Sequence, residues 1–282
     1  MATLVSRQEQ QEKRDRPGGR RPRLLVRHGR RLGILAIQLL VLVVSVIVAE
    51  LVIEALKVSP IIVPRPTQIL SAFRTLWDRD AIQTNGLHTL YALAIGLVIG
   101  CPLGLVVGTA VALSKWTNIL VRPYIVGFQS LPKIALAPIF VLWFGFNLKS
   151  EVILIAIEAF FPVFVNTIAG IDSVEKSYLE MFRSLGAGPF KTFVKLRFPM
   201  SLPYLFAGLR LSVVFGLIGA VVSEFVGQRE GLGKLMTSLD AVVDTAGSFA
   251  VLLVLAAIGL VLQALVGVLE RRLLRWRDTS TK

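Results

Sequence analysis

An all-α protein built of membrane-crossing helices is the fold class this sequence predicts, and three observations predict it. Of its 282 residues, 54% are hydrophobic and only 17% charged, with a mean hydropathy of +0.70. A soluble domain carries about a quarter charged residues. The apolar residues are clumped: Leu32–Ala49 runs 18 residues without a charge, Thr89–Ser114 runs 26 and Thr245–Leu269 runs 25. Each is close to the ~20 residues a helix needs to cross the hydrocarbon layer. The third observation is where the charge sits. Ten Lys or Arg precede residue 32 and five more follow Glu270, the basic flanking that the positive-inside rule produces.

That distribution disposes of the function class a net charge of +13 first suggests. A nucleic-acid surface interleaves aromatic and basic residues, and the basic tail here does not. The first apolar run is too long for a signal-peptide core and offers no small-residue cleavage site at Ser45–Glu50, so it is expected to stay as an anchor. Cys101 is the only cysteine, and His28 and His88 are too few and too far apart for a zinc site, so no metal is expected.

In order along the chain, residues 1–32 form a basic cytoplasmic tail with Pro17-Gly18-Gly19 and Pro22 as breakers, expected to be disordered. The first span covers 33–53 and an external segment 54–86. Within that segment Thr67 is the expected N-cap of an amphipathic helix over Gln68–Trp77, its apolar face Ile69, Leu70, Phe73, Leu76 and Trp77 lying on the outer membrane face. Residues 87–270 hold five further spans: Leu87–Leu113, Arg122–Phe144, Val152–Ile171, Tyr204–Val226 and Gly247–Leu269. A second basic tail, 271–282, closes the chain. Six spans put both termini on one side, and the basic tails make that side the cytoplasm. The polar stretch 172–210 is then internal, and it carries Lys176, Arg183, Lys191, Lys195, Arg197 and Arg210.

Two stretches carry most of the functional signal. Gly96, Gly100, Gly104 and Gly108 recur at spacing four in the second span, which bares one helix face for the close approach of a neighbouring backbone. The loop 173–203 reads as two short helices on a rigid turn: Glu175–Leu185, with an apolar stripe of Val174, Tyr178, Leu179, Phe182 and Leu185; then Gly186-Ala187-Gly188-Pro189; then Phe190–Phe198, stopped by Pro199 and Pro203. A stiff knob between two spans is what a transporter needs if its energy comes from another protein.

This loop resembles the cytoplasmic loop of binding-protein-dependent ABC importer permeases, whose pattern is E-A-A, three residues, G, nine residues, I-x-L-P. Glu180-Met181-Phe182 takes the E-A-A place, Gly186 the glycine, and Leu196, Phe198 and Pro199 the places of I, L and P; Met181 and Phe182 are bulkier than the family's alanines. Val63-Pro64-Arg65-Pro66-Thr67, Leu142-Trp143-Phe144-Gly145, Phe160-Phe161-Pro162, Gly208-Leu209-Arg210 and Ser223-Glu224-Phe225 with Gly231-Leu232-Gly233 extend the likeness over nearly the whole chain beyond the tail. They resemble the nitrate/sulfonate/taurine branch of these permeases.

The resemblance implies a type I ABC importer permease fold with a two-helix coupling loop between spans four and five. It implies that Glu180, Met181, Phe182, Arg183, Leu185, Gly186, Ala187 and Phe190 meet an ATPase. It also implies a second permease copy, two cytoplasmic ABC ATPase subunits and an external solute-binding protein, around a path for a small anionic solute. No cofactor is expected on this chain, ATP and Mg belonging to the ATPase. Where a phosphate-binding loop would need glycine and Ser or Thr around Gly233-Lys234, the chain has Gln228 and Leu235, so hydrolysis is expected on a partner.

Ionisable and amide groups within spans are candidates to line the path: Gln129, Ser130, Glu158, Asn166 and Glu224. His88 reads as an interfacial residue at a span boundary. A secondary transporter or channel is the alternative class, but it predicts internal repeats or spans broken at matching places in the two halves. A membrane-embedded enzyme would need a catalytic dyad or metal ligands at common depth. Neither pattern is visible in the sequence.

Overall fold

The structure, a computed structural model, describes residues 23–274, without the side chains of residues 23–35, 39, 115, 122, 126, 129 and 130. Most of each predicted basic tail lies outside the described residues. Every regular element among the described residues is helical. The chain divides into two units, Met1–Val58 and Ser59–Lys282.

The first unit contributes α1, Arg23–Ala55, which begins ten residues before the predicted first span. Its apolar stretch Ala36–Ala55 is long enough to cross a membrane, and side chains such as Leu40, Val43, Ile47 and Leu51 are all exposed. A helix apolar on every side suits lipid, not water.

The second unit starts with α2, Pro66–Asp78. Its N-cap is Arg65, not the predicted Thr67. Pro66 takes the first helical position, where its missing N–H costs nothing, and Gln68 Oε1 accepts the Arg65 backbone N–H at 3.0 Å. The predicted apolar face is divided between the interior of the unit and its surface. Ile69, Phe73 and buried Leu76 pack against Leu232, Ala250 and Val251, while Leu70 and Trp77 remain exposed.

Next come α3 (Ala81–Leu113), α4 (Lys115–Ser130), a 3-10 turn (Lys133–Leu136), α5 (Ala137–Phe144) and α6 (Leu148–Asp172). The glycine row joins α3 to α6. Gly96 faces Ile155, Gly100 faces Ala156, Gly104 faces Phe160 and Gly108 faces Phe164. A Cβ on Gly104 would stand 2.6 Å from the Phe160 carbonyl oxygen, and one on Gly108 2.8 Å from that of Phe164. Residue numbers rise together along both helices, so α3 and α6 are parallel. The chain between them must therefore travel back along their length.

That return is the predicted third span, and it is not one helix over 122–144. It begins at Lys115, breaks after Ser130 and resumes as the 3-10 turn and α5. Leu131 is extended (φ −74°, ψ 131°) because the ring of Pro132 excludes it from the helical region, and Pro138 removes a second N–H in the first turn of α5. Gly145, at φ +83°, then ends α5.

After α6 come α7 (Lys176–Ser184), α8 (Pro189–Thr192), a π turn (Phe193–Arg197) and α9 (Phe198–Gly227). Pro199 and Pro203 do not stop the segment before them, as the sequence led us to expect; it is helical from Pro189 through Gly227. The π turn passes the Phe198 N–H to the Phe193 carbonyl, and Pro199 falls in the first turn of α9, where a missing donor is tolerated. Helix α9 is antiparallel to α6: Gly170 meets Ser201, Gly208 meets Asn166, and Ser212 Oγ donates to the Ala159 carbonyl at 2.6 Å.

Helices α10 (Leu232–Ala241) and α11 (Thr245–Leu273) complete the unit. Arg210, within the predicted fifth span and counted among the internal basic residues, pairs with Glu270 of α11, and its carbonyl accepts from Gln263 Nε2 at 2.8 Å. The second unit therefore has two ends. One carries Leu113, residues 173–197 and Leu273; the other carries Ala81, residues 145–148 and residues 228–244. Among the described residues five helices are long and apolar enough to span a membrane, and the broken Lys115–Phe144 segment is the return between the parallel α3 and α6.

Candidate functional site

At the first end, the loop between α6 and α9 is held by three buried or packed groups. Val174 and Leu196 are buried, and Phe193 packs on the cluster of Val111, Phe164 and Ile168. Its turn is a Schellman motif. Ala187 N–H bonds the Phe182 carbonyl at 3.0 Å and Gly186 N–H bonds that of Arg183 at 2.9 Å. Gly186 sits at φ +70°, and a Cβ there would touch nothing within 4 Å, so the backbone conformation alone asks for glycine.

With its base anchored, the loop leaves apolar groups in the open. Leu185 is 74% exposed and Phe190 80%, with Tyr178 and Met181 about half exposed. The predicted single stripe is thus split, with Leu179 and Phe182 partly covered and Tyr178 and Leu185 outward. Glu180 and Arg183 are exposed among them, and Ala187 is half-buried. A groove of about 530 Å³ runs between Leu179, Arg183, Phe190 and the end of α3 at Leu113. Nearby, Asn118 Nδ2 donates to Asp172 at 2.9 Å and ties α4 to the start of the loop.

Midway along the bundle, Glu158 and Asn166 share a cavity of about 340 Å³ with Lys133 and Phe161. Glu158 is 3% exposed and its Oε1 has no hydrogen-bond partner. Asn166 Nδ2 donates to the Pro162 carbonyl at 2.8 Å. Lys133 stands over the Phe161 ring, its Nζ 5.2 Å from the centroid; the break at Pro132 is what brings a lysine to this depth. The side chains of Gln129 and Ser130 lie outside the described residues.

Glu224 is elsewhere, at the opposite end and with none of its surface exposed. Its Oε1 accepts the Thr89 hydroxyl at 2.6 Å and its Oε2 the Gly233 N–H at 2.6 Å. Thr89 Oγ1 in turn accepts the Leu232 N–H at 2.9 Å, and Asn85 Oδ1 accepts that of Gly231 at 2.8 Å. The Gly231–Gly233 turn, opened by Gly231 at φ +121°, is thus threaded onto side chains of α3 and α9. Glu224 ties this turn down and does not face an open path.

His88 does not face outward as an interfacial residue would. It turns toward Glu151 on α6, with Nδ1 3.8 Å from Oε2. Glu151 was missed in the sequence, as were Thr89 and Lys133. The available signal was the face made by Asn85, His88 and Thr89, three polar groups at helical spacing where an apolar span begins.

Residues 100–275 match the family described as binding-protein-dependent transport system inner membrane component. The chain belongs to this family. The permease is 33% identical over 222 residues to a Bacillus subtilis protein that carries the name of an aliphatic sulfonates transport permease, SsuC; the match covers 79% of this chain and 80% of that one. It is 36% identical to the formylaminopyrimidine transport permease ThiX of Halalkalibacterium halodurans, over 78% of this chain and 87% of the relative. With the taurine permease TauC of Escherichia coli it shares 28% identity, over 78% and 82% of the two chains.

Among solved structures it resembles an amino acid ABC transporter, with a TM-score of 0.57 and 19% identity, over 71% of this chain and 96% of the other. The MetNI methionine transporter is similar, with a TM-score of 0.54 and 19% identity over 70% and 96%. These two likenesses show the fold, that of a type I ABC importer permease. The permease is a membrane subunit of the branch that includes the sulfonate and taurine proteins and, like its relatives, is not itself an enzyme.

Proposed function

We propose that this permease forms the translocation path for a small anionic solute of the sulfonate, taurine or nitrate-like kind, and that a separate ATPase drives it through residues 173–203. The observation that carries this reading is the exposure of Leu185 and Phe190 on a loop whose base is clamped between α6 and α9. A large apolar group held rigidly in water is a docking feature. A push on it moves two packed spans together. Two copies of the permease, two ATPases that hold ATP and Mg, and an external binding protein complete the assembly in this reading. Membrane lipid surrounds it, and both basic termini face the cytoplasm. The relatives' printed solutes range from sulfonates to a formylaminopyrimidine. The Lys133 ammonium favours the anionic end of that range.

Co-purification with the ATPase tests the coupling. The unmodified permease is expected to bring an ATPase with it from detergent-solubilised membranes. Leu185→Asp with Phe190→Asp, both at open positions, should abolish the association without lowering the amount of permease in the membrane. Gly186→Trp should weaken it, because a side chain at φ +70° is strained. If no ATPase accompanies the unmodified chain, the coupling reading is wrong.

A further inference from the structure

At the end of the bundle away from the coupling loop, three helices each contribute one ligating side chain to a single point. His88 comes from the second turn of α3, Glu151 from the first turn of α6 and Glu224 from the last turn of α9. One donor atom from each lies within 4.8 Å of the others. Glu151 and Glu224 have none of their surface exposed. Two carboxylates buried side by side are costly unless something positive joins them. Among the described residues the one ion-pairing contact either makes is that of Glu151 with His88, at 3.8 Å.

The hydrogen-bond pattern is uneven in an informative way. Glu224 is oriented by Thr89 and by the Gly233 amide, one bond to each oxygen, which leaves lone pairs on both. Glu151 is fully buried, and the one hydrogen-bond partner its carboxyl meets among the described residues is the Glu224 carboxyl. His88 Nδ1, also buried, has none. Three buried polar side-chain atoms, His88 Nδ1 and both Glu151 oxygens, therefore converge here. Buried polar groups are normally satisfied; one carboxyl–carboxyl hydrogen bond and a 3.8 Å imidazole contact leave this cluster with lone pairs that a shared partner would take up.

The geometry points to a divalent-cation site, a first-row metal of the zinc class, held by His88, Glu151 and Glu224. One imidazole and two carboxylates are a donor set such ions accept, at about 2.0–2.2 Å from each donor. Donors on a tetrahedral ion lie about 3.4 Å apart, so side-chain rotation must draw in the 4.8 Å spread. Two negative charges balance the ion. Thr89 and Gly233 fix the Glu224 carboxylate from behind, as outer-shell partners of a metal ligand do. His88 keeps 20% of its side chain open, which gives the ion a way in. The site binds the starts of α3 and α6 to the end of α9 and, through Glu224, to the Gly231–Gly233 turn. It rests on no assumption about the ATPase or the transported solute.

The test is metal content. The full chain, in its complex and carrying a histidine-free tag, is purified with zinc present, dialysed and analysed by mass spectrometry. About one zinc per chain is expected, falling by on the order of tenfold or more in Glu151→Gln and His88→Ala. Cobalt in place of zinc should give visible d–d bands that disappear in the same variants. Should either variant fail to accumulate, the unmodified protein still decides: a chelator should lower its melting temperature and added zinc restore it. Zinc absent from the unmodified chain, zinc retained equally by both variants, or a melting temperature indifferent to chelator would each overturn the proposal. A Glu151→Gln chain that melts as high as the unmodified one and holds no less metal would show that the two carboxyls share a proton instead.

Discussion

Thr89 shows how much one side chain carries. Its hydroxyl donates to Glu224 and accepts from the Leu232 N–H, at 2.6 and 2.9 Å, in a fully buried setting. Thr89→Val keeps the shape and removes both bonds, leaving a carboxylate oxygen and an amide without partners. The expected cost is about 2 kcal/mol or more, read as a lower thermal midpoint of the solubilised chain, with Thr89→Ser losing much less. Lys133 offers a functional counterpart. Its ammonium lines the same cavity as Glu158 and Asn166. If it meets an anionic solute, Lys133→Ala should cut uptake by about 10–100-fold, the equivalent of one charge-assisted hydrogen bond, while ATPase association is unchanged. Unchanged uptake would remove Lys133 from the path. Glu158 and Asn166 were legible as polar groups inside spans; Lys133 fell within the predicted third span but was not singled out, because the groups it shares a cavity with lie on other helices. Glu224 was legible as an unusual acid; its actual partners include Thr89, 135 positions away, and the backbone N–H of Gly233.

Among elements, the pairing of α3 with α6 is the firmest prediction the fold supports. Gly104 and Gly108 face backbone carbonyls, which cannot rotate away as a flexible side chain would. Gly104→Leu is expected to cost at least the ~1–3 kcal/mol of ordinary overpacking and to lower the amount of permease recovered from membranes. Val106→Leu, at a position 65% exposed on the same helix, should change neither. Equal behaviour of the two variants would mean that α3 and α6 do not meet along this row. The spacing of the glycines announced a close approach, but not the partner, nor that the two helices are parallel. A parallel pair needs a return crossing. Here that crossing is the broken segment through Pro132, read from sequence as one continuous span because its apolar content hides the backbone effect of two prolines.

At the scale of the whole second unit, the two ends differ in chemistry. One offers exposed apolar groups and basic residues in the loop 173–197; the other holds the cluster of half-buried His88 with buried Glu151 and Glu224 beside the 228–244 segment. If the first end is cytoplasmic, a membrane-impermeant thiol reagent applied to intact cells should label Glu230→Cys but not Leu185→Cys, in a chain whose Cys101 has been replaced. Both are exposed positions, and they lie at opposite ends of α9. The reverse labelling pattern would invert the topology and with it the direction of coupling.

The sequence by itself determined the class of this protein, the approximate place of its long apolar helices, the glycine face and the two-helix loop 173–197. Each depends on local composition or on spacing along one helix, and the bilayer makes such patterns unusually legible by demanding long apolar runs. Only the tertiary structure decided that α2 packs on α11, that the segment Lys115–Phe144 is broken, that Lys133 joins Glu158, and that His88 meets two buried carboxylates. These are encounters between groups tens of residues apart, set by which helix faces close against each other. No periodicity in a single segment reports them.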